Sequence, residues 1–128
     1  MSNIRSRNTG PELAVRHALR EAGLVGYRLH YAKAPGRPDI AFVGRRVAVF
    51  VHGCFWHQHA HCPAGRIPTG NRPFWESKLA RNTQRDTAAK LALQRLGWRV
   101  LTVWECETKT PGKLQKRLAR LLPPLAPE

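Results

Sequence analysis

The stretch Arg46-Val47-Ala48-Val49-Phe50-Val51, running directly into His52-Gly53-Cys54-Phe55-Trp56-His57-Gln58-His59-Ala60-His61-Cys62, decides the fold. Its first half is apolar and rich in β-branched residues, the pattern of a buried strand. Its second half places two cysteines and four histidines in residues 51–62. Thiolates and imidazoles at this density suit a tetrahedral zinc site. A core strand therefore delivers the chain into a metal-binding loop, and the spare histidines stand at the strand's end.

The neighbouring elements follow from this strand. Upstream, Asp39–Val43 reads as a second strand, joined to it by a tight turn at Gly44. Pro35-Gly36-Arg37-Pro38 is a turn, and Tyr27–Ala32 is a further strand. Thr9-Gly10-Pro11-Glu12 opens a helix, with Thr9 as N-cap, Pro11 in the first turn and Glu12 completing a capping box. That helix runs to Glu21 or Ala22 and stops at Gly23. Downstream, His52–Arg72 is a long loop broken by Pro63 and Pro68, with Pro73 just beyond it. A loop of that length needs a function or a metal to hold it. Phe74–Leu96 is a long helix carrying Trp75, Leu79 and Leu91, closed by Gly97. Trp98–Trp104 is nearly continuous in apolar residues, which predicts a central strand. Leu114, Leu118 and Leu121 give an amphipathic last helix. The order is α-β-β-β-(metal loop)-α-β-α, an α/β fold with a small mixed sheet flanked by helices. One domain spans residues 1–122, and 123–128 form a loose tail.

Composition narrows the function. The 128 residues carry 22 Lys and Arg against 8 Asp and Glu, a net charge of +14. Sixteen of those 22 are arginine, whose planar fork matches phosphate oxygens. So basic a small domain points to nucleic acid. Three cysteines cannot all pair as disulfides, and their clustering with histidine predicts reduced metal ligands in the cytoplasm. Met1–Arg7 has no apolar core of a signal peptide. No apolar run approaches the ~20 residues of a membrane span.

Chemistry is concentrated in a few residues. Cys54, His59 and Cys62 supply three zinc ligands from one loop, and Cys106, just past the last strand, supplies a fourth. Cys3His is coordinatively closed and therefore structural. His61 is the alternative to His59, but it adjoins Cys62, and neighbouring residues seldom aim at one ion. A zinc deaminase is excluded, because it needs a His-x-Glu motif near its cysteines and the chain has none. Asp39 follows Pro38, where an aspartate commonly serves a turn. It lies one hairpin from His52, however, and a carboxylate with a strand-end carbonyl can hold Mg²⁺. Such an ion polarises a phosphodiester. His52 and His57 are left over for proton transfer. Glu12 has its capping role and can combine it with a role at the site, because the N-terminal turn can lie beside it. Phe55 and Trp56 either cover the zinc or form a wedge that unstacks base pairs. Lys78 and Asn82, spaced i, i+4, share a helix face that can meet DNA.

These residues together resemble the very short patch repair endonucleases, bacterial enzymes that nick DNA at T:G mismatches. The matching pieces are Gly36-Arg37-Pro38-Asp39, Phe50-Val51-His52-Gly53-Cys54-Phe55-Trp56-His57, Phe74-Trp75, Asn82 with Arg85-Asp86, and Leu96-Gly97-Trp98-Arg99-Val100 through Val103-Trp104-Glu105-Cys106. The resemblance covers roughly residues 1–107 and implies a restriction-endonuclease-like core. It puts the catalytic aspartate on Asp39, the catalytic histidines on His52 and His57, and the glutamate of the first helix on Glu12. It implies Mg²⁺ held by Asp39 and the Val51 carbonyl, and Zn²⁺ held by Cys54, His59, Cys62 and Cys106. The intercalating aromatics fall on Phe55 and Trp56, and an intercalating methionine on Met1. Lys78 and Asn82 match residues that contact the mismatch region. The spacing from His59 to Cys62 is one residue longer than in the best-known member. The implied partners are duplex DNA with a T:G mismatch and mismatch-repair proteins, the implied state a monomer, and the implied place the bacterial nucleoid. Two rivals stand beside this reading: a related nuclease of homing or restriction type with another DNA target, and a non-catalytic zinc-stapled DNA-binding module.

Overall fold

The computed structural model describes residues 9–121. Met1, the tail 123–128 and the side chain of Leu121 lie outside the described residues. Helix α1 spans Gly10–Glu21, β1 Arg28–Leu29, β2 Ile40–Phe42 and β3 Val47–His52. Helix α2 spans Arg72–Arg95, β4 Arg99–Trp104 and α3 Pro111–Leu121. Short 3₁₀ turns at Pro63–Gly65 and Glu105–Lys109 flank the metal loop and follow β4. The four strands lie in the order β1-β2-β3-β4. β1, β2 and β3 are antiparallel neighbours, while β3 and β4 are parallel. A parallel pair needs a long crossover, and α2 supplies it.

The helix boundaries obey their local chemistry. Thr9 is the N-cap of α1, its side chain accepting from the Glu12 N–H at 3.3 Å. Gly23 ends the helix at φ +78, a conformation that glycine adopts without cost. Gly97 does the same after α2 at φ +86.

Three sequence expectations fail here. The strand expected over Tyr27–Ala32 shrinks to Arg28–Leu29, because His30 turns into the left-handed region at φ 46. The last strand is not central: among the described residues β4 pairs only with β3. Its apolar run is explained by helices over the sheet rather than by strands on both sides. Leu91 is also 47% exposed, and α2 buries Leu79 and Leu93 instead.

Alternation along the strands divides the core. Ile40, Phe42, Val47, Val49, Leu101 and Val103 pack with Val15 and Leu19 of α1 and with Leu114 and Leu118 of α3. On the opposite face Ala48 packs with Leu93 of α2, joined by Tyr31, Phe50, Trp98 and Val100. The sheet is thus covered on both sides, and its open end, where β3 finishes at His52, carries the polar residues.

Candidate active site and metal centres

The four residues expected to hold zinc gather at this end of the sheet. The ligand atoms of Cys54, His59, Cys62 and Cys106 all lie within 4.8 Å of one another. His59 Nδ1 is 3.6 Å from Cys54 Sγ and 3.6 Å from Cys106 Sγ. Bonds of about 2.3 Å to sulfur and 2.0–2.1 Å to nitrogen, at tetrahedral angles, require an N···S separation of about 3.6 Å. The donors therefore fit zinc in both chemistry and spacing. His61 is exposed, at φ 62, and stands outside the group, so the loop offers His59. The His59 ring also stacks on Trp104, with centroids 4.2 Å apart. Gln58 ties the loop by donating to the carbonyls of Phe55 and Gly65. Burial pushes the Cys54 thiol up to about 11, a penalty that coordination of the thiolate would reverse. At Cys62 a backbone hydrogen bond from Ala64 holds the thiol below its ordinary value.

A second group forms beside the first. The rings of His52 and His57 stack with centroids 3.8 Å apart and planes 6° from parallel. His57 Nδ1 meets Asp86 Oδ2 of α2 at 2.6 Å. A carboxylate on Nδ1 fixes that nitrogen as the proton carrier and leaves Nε2 as an acceptor. His52 is buried, and burial together with His57 lowers its pKa to about 4. In the sequence Asp86 stands only as part of the matching Arg85-Asp86 pair, with no role of its own. Its separation of 29 residues from His57 hides the pairing; only the packing of α2 against the loop that follows β3 reveals it.

The third group surrounds Asp39. Asp39 precedes β2, and its Oδ2 accepts the Val51 N–H at 2.7 Å. The structure thus joins Val51 to Asp39 through its N–H. Burial nevertheless pushes the Asp39 carboxyl up to about 6. Glu12 is only 2% exposed, and its Oε2 takes both Arg16 Nη2 and His30 Nε2 at 2.7 Å. Ligand atoms of Glu12, His30 and Asp39 also fall within 4.8 Å of one another. Glu12 therefore stands at the site while its backbone still serves the cap. His30 was missed in the sequence because an isolated histidine in an expected strand carries no signal. The turn before Asp39 is tightly set: Gly36 sits at φ +76, and a Cβ there would meet Ala89 Cβ of α2 at 2.5 Å.

The aromatic residues form a cluster. Phe55 and Trp56 contact one another and both contact Trp75 at the start of α2, at 5.5 and 5.8 Å between centroids. Phe74 packs on Trp75 in turn and is 50% exposed, and Trp56 is 45% exposed. Asn82 donates its amide to the Trp56 carbonyl at 3.1 Å, so it braces this loop. Lys78 lies one turn earlier on α2, half-buried.

A small mixed sheet with helices on both faces and carboxylates at one strand end has the architecture of the restriction-endonuclease-like class. Comparison with known proteins narrows the class. The family model described as DNA mismatch endonuclease Vsr matches residues 1–63. The type II nicking enzyme V.XorIIP of Xanthomonas oryzae is 45% identical over 124 residues, covering 97% of this chain and 90% of the relative. The type II nicking enzyme V.NmeAIP of Neisseria meningitidis is 39% identical, over 95% of this chain and 86% of its own. The DNA mismatch endonuclease Vsr of Escherichia coli is 41% identical over 114 residues, covering 89% and 72%. The chain belongs to the Vsr family of DNA mismatch endonucleases.

Proposed function

We propose that this chain is a Mg²⁺-dependent, zinc-stabilised endonuclease that nicks one strand of duplex DNA at a T:G mismatch, in very short patch repair. The observation that carries the reading is the convergence of Asp39, Glu12, His52 and the His57–Asp86 pair at one end of the sheet, beside a closed Cys3His group. A purely DNA-binding module has no use for a buried glutamate, a raised aspartate and a carboxylate-oriented histidine in one place. Membership in the family supports the substrate, and the relatives named as nicking enzymes support a single-strand cut.

Asp39, Glu12 and the Val51 carbonyl would hold Mg²⁺, whose chemistry is to polarise the scissile phosphate and stabilise the leaving oxygen. Asp39 is suited to this because its desolvated charge seeks a cation. Asp86 holds the His57 ring with Nε2 open, so His57 accepts the proton of the attacking water. His52 is neutral around pH 7 and contributes an N–H at the leaving group. Zn²⁺ on Cys54, His59, Cys62 and Cys106 would fix the loop that carries His57, Phe55 and Trp56. The two aromatics, backed by Trp75, enter the duplex at the weak step, with Met1 as a further wedge. Lys78 and Asn82 approach the mismatch, and the arginine-rich surface holds the phosphates. The enzyme works as a monomer in the bacterial cytoplasm, with mismatch-repair proteins as partners. Among the described residues no helix is long and apolar enough to cross a membrane.

The test is a panel of duplexes that differ only in the central pair, with each strand labelled separately, incubated with protein and Mg²⁺. A cut confined to one strand and to the T:G duplex is expected. Equal cutting of matched and mismatched duplexes would instead make this a nuclease of restriction or homing type.

A further inference from the structure

We propose that His30 is a nitrogen ligand in the catalytic cation site, making it a mixed carboxylate–imidazole centre that binds Mn²⁺ more tightly than the Mg²⁺ of the proposed reaction, which the carboxylates still admit. The inference rests on the reading of Glu12 and Asp39 as that site. Its geometry is specific. The ligand atoms of Glu12, His30 and Asp39 lie within 4.8 Å of one another. His30 Nε2 and Glu12 Oε2, hydrogen-bonded at 2.7 Å, would open to about 3 Å, the separation of adjacent octahedral ligands, once a cation replaces the shared proton. The His30 backbone N–H donates to the Asp39 carbonyl at 2.9 Å, so the two residues face each other across the β1–β2 pair. His30 reaches this position through a left-handed backbone, φ 46, that few non-glycine residues adopt. Charge balance alone does not call for it, because Arg16 already meets the same Glu12 oxygen at 2.7 Å.

The chemistry follows from ligand hardness. Mg²⁺ demands oxygen donors and binds imidazole poorly. Mn²⁺ accepts the same carboxylates and tolerates nitrogen, and divalent ions later in the first row prefer it further. An imidazole in place of an oxygen donor therefore shifts selectivity without changing the carboxylates.

The experiment uses zinc-loaded, full-length protein with Mn²⁺ alone as probe. Binding is followed by the EPR signal of free Mn²⁺, and coordination by the ¹⁴N modulation of the electron spin echo. Three proteins are compared: wild type, His30→Gln and Asp39→Asn. Glutamine retains an N–H donor for Glu12, so a structural role would survive the change. The wild type is expected to show imidazole ¹⁴N modulation. His30→Gln should lose it, and its preference for Mn²⁺ over Mg²⁺ in competition should narrow. Asp39→Asn should lose Mn²⁺ binding. If Asp39→Asn abolishes binding but the modulation is absent from the wild type, or persists in His30→Gln, the role of His30 is overturned and the cation site stands. If Asp39→Asn binds Mn²⁺ as the wild type does, the cation site itself is overturned.

Discussion

Asp39 shows how a site residue acts against the stability of its own fold. Its carboxyl is pushed from 3.8 up to about 6 by burial, more than the Val51 N–H can offset. A raised acid pKa means that the folded state resists ionisation. The group therefore weakens the fold above pH 6, and the penalty fades as pH falls from about 6 toward 4. At neutral pH the cost is at most about 3 kcal/mol, from 1.36 kcal/mol per pKa unit. Asp39→Asn should therefore raise the Tm of zinc-loaded protein in Mg²⁺-free buffer at pH 7.5, and the gain should shrink at pH 5. A thermal melt at both pH values checks this, and a lower Tm at pH 7.5 would contradict it. Asp86 makes a different prediction. Its hydrogen bond orients His57, so Asp86→Asn should lower the nicking rate by roughly 10²–10⁴, the worth of a positioned general base. Zinc content and Tm should stay near wild type, and a rate within twofold of wild type would remove Asp86 from the mechanism. At this scale the sequence was informative where residues cluster and mute where they do not. Cys54, His57 and His59 announce themselves by density, whereas His30 and Asp86 acquire meaning only from partners 18 and 29 residues away.

Among the elements, the metal loop depends most on one distant residue. Cys106 follows β4, while Cys54, His59 and Cys62 follow β3, so zinc would staple the ends of the two parallel strands together. Cys106→Ser should release zinc and unfold the loop, because a structural zinc contributes folding free energy directly. Metal analysis together with a melt would show both losses; folded, active protein without zinc would end the assignment. The helices were readable from their caps: Thr9, Gly23 and Gly97 mark ends that the structure keeps. The strands were less so. β1 is cut short by the backbone turn at His30, which sets that ring against Glu12 at the cost of sheet. The position of β4 at the sheet's edge was hidden because apolar content reports burial, and helices bury a strand as well as other strands do.

Taken whole, the molecule combines a strongly basic chain with a cluster of aromatic rings. The charge of +14 supplies affinity for any DNA, and that affinity falls with salt. Selectivity needs another device, and the proposed one is the cluster of Phe55, Trp56 and Trp75, whose rings contact one another beside the loop that follows β3. A mismatched step is easier to unstack than a paired one. The double change Phe55→Ala, Trp56→Ala should thus reduce the preference for mismatched over matched duplex more than it reduces general binding. The loss should be a few kcal/mol at most, the scale of unstacking a step. Affinities for both duplexes at one fixed salt concentration decide it, and an unchanged ratio would leave the rings as a cover for the zinc loop.

The central claim is that one end of the sheet cuts DNA with a cation held by Asp39, separately from zinc and from DNA binding. The most direct measurement is strand-resolved nicking of a T:G duplex with Mg²⁺, by wild type and Asp39→Ala side by side, with zinc content and DNA affinity recorded for both. The account predicts a single nicked strand with wild type and none with Asp39→Ala, while the variant keeps its zinc and most of its affinity. Nicking by Asp39→Ala at the wild-type rate would contradict it.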